Sequence, residues 1–178
     1  MHSAALAATL VTAVTSLVIC VHFGWQRTLT VSNHVAQRVW SSVLFGVVIA
    51  ATAAVMAAYT WTWLRPRAGL SWFTVAVLLA VCGLLVLIGV FPRTMSWVGT
   101  VHHRISWMCL TAMVVGAFAL VADTWGHAAG WLRAFDAAFL AYVVALIVIR
   151  FTRFLKPYYL YWETSFFFGF FALWLTAT

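Results

Sequence analysis

Residues 71–91 read SWFTVAVLLAVCGLLVLIGVF, a run that contains no charged side chain. A bilayer core about 30 Å thick needs about 20 apolar residues in one helix, because each residue adds about 1.5 Å. This stretch therefore has the length and the composition of a membrane-crossing helix. Pro92 and Arg93 follow it directly, and a proline beside a charge is a typical end for such a helix.

Similar runs lie on both sides of this stretch and give six candidate spans. Their approximate bounds are 4–24, 40–63, 71–91, 105–123, 135–149 and 162–177. Of the 178 residues, 66% are hydrophobic and 7% are charged, whereas an average soluble domain is about 25% charged. A soluble protein of this size cannot keep so much apolar surface from water. We therefore predict an all-α integral membrane protein, in which residues 1–178 form one bundle of six transmembrane helices with short loops.

The few charges are mostly positive, with 10 Lys and Arg against 3 Asp and Glu. Six spans place both termini at one face of the membrane, together with Arg65, Arg67 and Arg133. The opposite face holds the other basic residues, namely Arg27, Arg38, Arg93, Arg104, Arg150, Arg153 and Lys156. The positive-inside rule then predicts that this basic face is cytoplasmic and that both termini lie outside. Such a charge balance indicates membrane topology and contact with anionic lipids, and no nucleic-acid partner is expected.

Tryptophan and small residues add two expectations about the helices. Ten tryptophans lie at or near span ends, as in an aromatic belt: Trp25, Trp40, Trp61, Trp63, Trp72, Trp97, Trp107, Trp125, Trp131 and Trp162. In the second span, Gly46, Ala50, Ala54 and Ala58 recur at every fourth position. Small residues on one helix face let two backbones approach closely, so this stripe predicts tight packing against a neighbour.

Polar residues concentrate at the basic face and predict a binding pocket there. We expect a pocket for an anionic lipid headgroup, in which arginines contact phosphate while histidines and a carboxylate line the walls. The candidate residues are His34, Arg38, Arg93, His102, His103, Arg104 and Glu163. Interfacial anchoring and positive-inside charge explain the same residues without a ligand, and Glu163 would then cap the start of the sixth span.

The connection between the third and fourth spans also carries a family resemblance. Residues 89–92 read GVFP, and His102 and His103 follow about ten residues later. Residues 30–34 read TVSNH, a polar loop containing a serine, and Phe45 follows early in the next span. This pattern resembles the six-span Frag/DRAM/Sfk superfamily, which includes bacterial members known as a domain of unknown function. The resemblance implies a role around membrane lipids and, with the positive-inside pattern, a bacterial cytoplasmic membrane.

Two other functions stay open on these residues. An accessory subunit of a larger membrane complex needs little more than an apolar, aromatic surface for its partner helices. A b-type haem or metal site needs ligands from different helices, and its candidates are His22, His34, His102 and His103. Because these lie at span ends, we predict no cofactor.

Whether the protein is an enzyme stays open, with the sequence leaning against it. Hydrolysis of a lipid would need a nucleophile beside one of the histidines. Ser32 and Ser96 lie near enough in the sequence, but neither belongs to a recognisable nucleophile motif.

Overall fold

A computed structural model describes residues 1–91, 97–150 and 157–177 of the chain. This part is helical and contains no β-strand, so the all-α prediction is confirmed. The helices are α1 (His2–His22), α2 (Val31–Val35), α3 (Val39–Tyr59), α4 (Arg65–Ala68), α5 (Trp72–Val90), α6 (Trp97–Thr124), α7 (Gly130–Arg150) and α8 (Tyr159–Thr176). One π-helical turn, Thr60–Leu64, joins α3 to α4 without a break in the helix.

Within the described residues, five helices are long and apolar enough to cross a membrane. They cover His2–His22, Val39–Ala68, Trp72–Val90, Trp97–Thr124 and Gly130–Ile149. The predicted sixth span corresponds to α8, which is helical but is not among these five. Its first turns contain Tyr159, Tyr161 and Glu163, and these polar residues lower its mean hydropathy.

The fourth predicted span differs from the observed helix at its start. The apolar pattern places the start near residue 105, but α6 begins at Trp97. A helix is held by backbone hydrogen bonds and does not need apolar side chains, so it continues through the polar residues before the apolar run. His102 and His103 therefore lie inside α6, where their side chains have fixed directions around the helix axis.

Five helices form a closed ring. α5 packs against α3 and α6, α3 packs against α1, and α8 closes the ring by contacting α1 and α6. α7 lies outside this ring, against α6 and α8. We call the end where α1 begins and α8 ends the terminal end, and the other end the opposite end. At the terminal end, Tyr59 in α3 donates a hydrogen bond to the Leu175 carbonyl of α8 (3.4 Å).

The α3–α5 contact brings two glycines together. A Cβ atom added to Gly46 would lie 2.7 Å from the carbonyl oxygen of Gly89, so the two backbones are in direct contact. Of the predicted stripe of small residues, only Gly46 and its neighbourhood take part in close packing, because Ala54 and Ala58 are exposed. Close packing therefore occurs near the opposite end of α3 and not along its whole length.

The tryptophans separate into two groups. Trp25, Trp72 and Trp131 are exposed near the ends of the bundle, in agreement with the predicted belt. Trp174 is fully buried, and its Nε1 donates a hydrogen bond to Oγ1 of Thr60 (3.0 Å). That bond joins α8 to the π-helical turn and satisfies a polar group inside the bundle.

Candidate functional site

A cavity of about 440 Å³ lies inside the ring and extends from the opposite end into the bundle. Its size is in the range of small-molecule sites, about 300–1,000 Å³. Its wall at the opposite end is polar and includes Thr30, Ser32, Asn33, His102, His103, Ser106, Tyr159 and Glu163. The deeper wall is mostly apolar and includes Phe45, Ile49, Leu85, Met113 and Phe166. The cavity therefore has one polar and one apolar part.

His102 forms part of the inner wall, where α6 passes the end of α5. Its side chain is 5% exposed, and Nδ1 lies 2.6 Å from the carbonyl oxygen of Phe91. A carbonyl oxygen accepts hydrogen bonds only, so this contact requires a hydrogen on Nδ1. In the neutral ring, Nε2 is then the basic nitrogen.

His103 lies at the rim of the same cavity. Its side chain is exposed, and its Nε2 accepts a hydrogen bond from Nε1 of Trp107 (3.1 Å). Consecutive residues of a helix project about 100° apart, which is why one histidine faces the bundle and the other the membrane surface. The adjacent histidines of the sequence pattern are thus an inner and an outer residue of one site.

Glu163 joins α8 to the chain segment between α1 and α3. Because α8 begins at Tyr159, Glu163 lies one turn inside it and does not cap it, contrary to one sequence interpretation. Its Oε2 accepts a hydrogen bond from the backbone N–H of Val31 (2.8 Å), the first residue of α2. A second bond runs from the N–H of Leu160 to the carbonyl oxygen of Arg27 (3.1 Å). These bonds hold one wall of the cavity in place.

His34 belongs to the structure of this segment and does not line the cavity. It is fully buried, with Nδ1 2.9 Å from the carbonyl oxygen of Thr30. Its Nε2 accepts a hydrogen bond from the backbone N–H of Gln26 (3.4 Å). Both ring nitrogens therefore contact backbone groups of the same segment.

The structure brings together three of the seven predicted site residues at the cavity: His102, His103 and Glu163. Arg38 and Arg104 are exposed and do not line it. Arg93 lies outside the described residues, as does Ser96, one of the two candidate nucleophiles. Among the haem or metal candidates, His22 is exposed and packs against Phe23 and Trp40. In the described ranges, no three His, Cys, Asp or Glu side chains are grouped so that they could hold a metal ion.

Several cavity-lining polar side chains make no hydrogen bond with the described part of the protein. The buried Nε1 of Trp162 has no partner, and neither the Ser106 hydroxyl nor the Asn33 amide has one. Sequence reasoning assigned Trp162 to the aromatic belt and did not select Ser106. Ser106 follows His102 by four residues, a spacing that puts both on one helix face, so the signal for it was present.

Comparison of this chain with protein-family models, with curated proteins and with solved structures finds no match.

Proposed function

We propose that this chain is a six-span integral membrane protein that binds one membrane lipid in the cavity of the ring. The observation that supports this most is the division of a single cavity into a polar part at the opposite end and an apolar part inside the bundle. A lipid has the same division between headgroup and acyl chain. In this arrangement the headgroup lies beside His102, His103 and Glu163.

The polar part favours a headgroup that is rich in hydrogen-bond acceptors. Within the described residues, the Asn33 amide and the Ser106 hydroxyl are unpaired donors in the wall of the cavity. A ligand that supplies an acceptor to such a donor gains about 0.5–1.5 kcal/mol for each hydrogen bond formed. Phosphate and ester oxygens are acceptors of this kind.

The surroundings of the cavity favour a negative headgroup. Arg27, Arg38 and Arg104 are exposed at the opposite end and create a positive potential around the cavity. Such residues attract anionic lipids through the field near the membrane surface, even without direct contact. We therefore propose an anionic lipid, with the arginines acting at long range.

The apolar part accounts for the chain of the lipid. Phe45 and Ile49 of α3 face this space together with Leu85 of α5 and Met113 of α6. Each methylene group transferred from water to such a surface contributes about 0.8 kcal/mol. In a membrane the acyl chain is already in an apolar phase, so it gains little hydrophobic free energy on entering the cavity. The apolar part therefore provides a space that fits an acyl chain, and the polar part selects among headgroups.

The proposed placement in the bilayer follows the charges. From the sequence, Arg65, Arg67 and Arg133 are expected at the terminal end and the more numerous other basic residues at the opposite end. We propose that the opposite end, with the cavity, faces the cytoplasm of a bacterium. α8 then crosses the membrane as the sixth span, with its polar first turns in the headgroup layer.

Native mass spectrometry of the full chain, released from mild detergent, tests the proposal. After incubation with phosphatidylglycerol or phosphatidylethanolamine, we expect one bound lipid per chain and a preference for the anionic phosphatidylglycerol. Ser106→Ala removes from the cavity wall a hydroxyl that has no partner among the described residues, and retention should fall about tenfold, the effect of losing about 1.4 kcal/mol.

Ser3→Ala is the matched control, because Ser3 is an exposed serine at the terminal end. This variant should retain lipid as the unsubstituted chain does. Equal loss of lipid in both variants, or no loss in Ser106→Ala, would contradict the assignment of the cavity as the lipid site. Partner subunits in place of lipid in the spectrum would favour the accessory-subunit function instead.

A further inference from the structure

A second, smaller cavity lies at the terminal end of the bundle. Its volume is about 60 Å³, and it lies where α6 and α8 end and the first turns of α7 pass them. Thr124, Asp136 and Thr176 line it from these three helices, and Arg67 and His127 also contribute to its wall. One water molecule takes about 30 Å³ in the liquid, so the space suits a small ion with about one water.

Asp136 is the unusual residue of this cavity. Its side chain is 5% exposed and makes no hydrogen bond or ion pair with the described part of the chain. A carboxyl group inside a membrane-crossing helix is costly unless a partner balances it. Asp123, at the same end, does have a partner, because its Oδ2 accepts a hydrogen bond from the backbone N–H of Ser71 (2.8 Å).

Thr124 and Thr176 line the same small cavity as Asp136. The hydroxyl of Thr124 donates its hydrogen to the carbonyl oxygen of Leu120 (2.8 Å). The hydroxyl of Thr176 donates in the same way to the carbonyl oxygen of Ala172 (2.9 Å). A hydroxyl whose hydrogen is used in this way can act only as an acceptor towards the cavity.

The helix ends add further negative character. α6 ends at Thr124 and α8 at Thr176, and the carboxyl end of a helix carries about half a negative charge. Two such ends, one carboxyl group and two hydroxyl oxygens surround the small cavity. Oxygen donors of this type are the preferred ligands of hard cations.

We propose that Asp136, with the hydroxyl oxygens of Thr124 and Thr176, binds a single small monovalent cation, Na⁺ or K⁺, at the terminal end. One carboxylate balances one positive charge. A divalent ion would leave excess positive charge beside Arg67 and His127. The Arg67 side chain is exposed, and its guanidinium lies 4.4 Å from the ring centroid of Trp63. Arg67 therefore contacts an aromatic ring and is not one of the proposed cation ligands.

Thermal unfolding of the full chain in detergent tests this site. The protein is compared in chloride solutions of Na⁺, K⁺ and N-methyl-D-glucamine at equal ionic strength. We expect Na⁺ or K⁺ to raise Tm by about 3 °C over the organic cation, as ligand binding to the folded state does. This difference should vanish in Asp136→Asn and persist in Asp123→Asn, the matched carboxyl control.

The threonine variants provide a second test if Asp136→Asn does not fold. Thr176→Val removes the hydroxyl and should abolish the cation effect, whereas Thr176→Ser keeps the hydroxyl and should retain it. A Tm that is the same in all three salts overturns the proposal, as does a cation effect that survives in both Asp136→Asn and Thr176→Val. A third result would also overturn the proposal. If the unsubstituted chain shows no cation effect, and Arg67→Gln and Asp136→Asn lower Tm equally, then Asp136 forms a water-mediated pair with Arg67.

Discussion

At the scale of single residues, histidines of similar sequence context have different roles. His34 and His103 both come from the polar segments at the opposite end, but His34 is fully buried and bonded to backbone groups. His103 is exposed at the rim of the cavity and bonded to an indole N–H. Burial and partners therefore distinguish a residue that holds the structure from one that is available to a ligand.

Alanine substitution of each histidine should separate these roles. His34→Ala leaves the buried contacts to Thr30 and Gln26 unmade, and we expect a loss of about 1–3 kcal/mol in stability. His103→Ala should change stability by less than about 0.5 kcal/mol, as an exposed substitution does, but should lower retention of anionic lipid. Thermal unfolding and native mass spectrometry measure the two effects. Equal Tm values for the two variants would contradict this division.

At the scale of helices, the contact between α3 and α5 sets the width of the cavity. Phe45 and Ile49 of α3 and Leu85 of α5 line the cavity, and the Gly46–Gly89 contact lies beside them. Backbone-to-backbone contact is the closest approach that two helices allow, and at Gly46 and Gly89 it leaves no room for a Cβ atom. The shape of the apolar part thus depends on two residues that do not themselves bind the proposed lipid.

Gly46→Ala should separate the two helices. The added Cβ atom would lie 2.7 Å from a backbone oxygen, which cannot turn aside as a side chain does. We expect a loss of stability of about 1–3 kcal/mol, typical of overpacking, and weaker lipid retention.

Gly83→Ala is the matched control for that substitution. Gly83 lies in α5, the helix that packs against Gly46, but no other part of the described structure lies within 4 Å of its added Cβ. Alanine is the better helix former by about 1 kcal/mol, so this variant should be neutral or slightly stabilised. If the Gly46→Ala and Gly83→Ala proteins are equally stable, α3 and α5 can separate without loss of stability, and the expectation is wrong.

At the scale of the whole molecule, the arrangement of α8 decides how both cavities form. α8 closes the ring between α1 and α6, so that its first turns line the large cavity and its last turn lines the small one. The two proposed sites therefore lie at opposite ends of one helix. Among the long helices of the described residues, α8 alone is not a candidate span by length and hydropathy, so its proposed crossing of the membrane is tested directly.

Cysteine labelling in intact cells tests the proposed six crossings. Ser3→Cys and a cysteine added after Thr178 should both react with an impermeant maleimide from outside, whereas Gln37→Cys should not. Ser3 and Gln37 are exposed, and the native Cys20, Cys82 and Cys109 are buried, so background labelling should be low. Five crossings would place the two chain ends on opposite sides, and only one of them would then react.

The resemblance to the Frag/DRAM/Sfk superfamily stays a prediction, because no comparison supports or contradicts it. Some of the residues that carry the resemblance lie at the large cavity. His102 and Phe45 line it, and Phe91 provides the carbonyl oxygen beside His102. His34, which ends the polar loop of the motif, is buried away from the cavity.

The sequence by itself determined the helical class and the end of the bundle near which the residues of the long helices lie. Apolar runs of sufficient length specify the helices, and the 1.5 Å rise per residue then places a histidine or an arginine near one end or the other. For this reason the clustering of His102, His103 and Glu163 at one end was predictable. The starts of helices were less predictable. In α6, the backbone hydrogen bonds of the helix extend to Trp97, several residues before the apolar run begins.

Only the tertiary structure decided which side of each helix faces inward. In a soluble protein the apolar face of a helix reveals its rotation, but lipid is as apolar as the core of a membrane bundle. Hydropathy therefore does not distinguish His102, which faces the cavity, from Arg104, which is exposed. For the same reason the sequence pattern does not single out Asp136, whose importance depends on the small cavity that it lines.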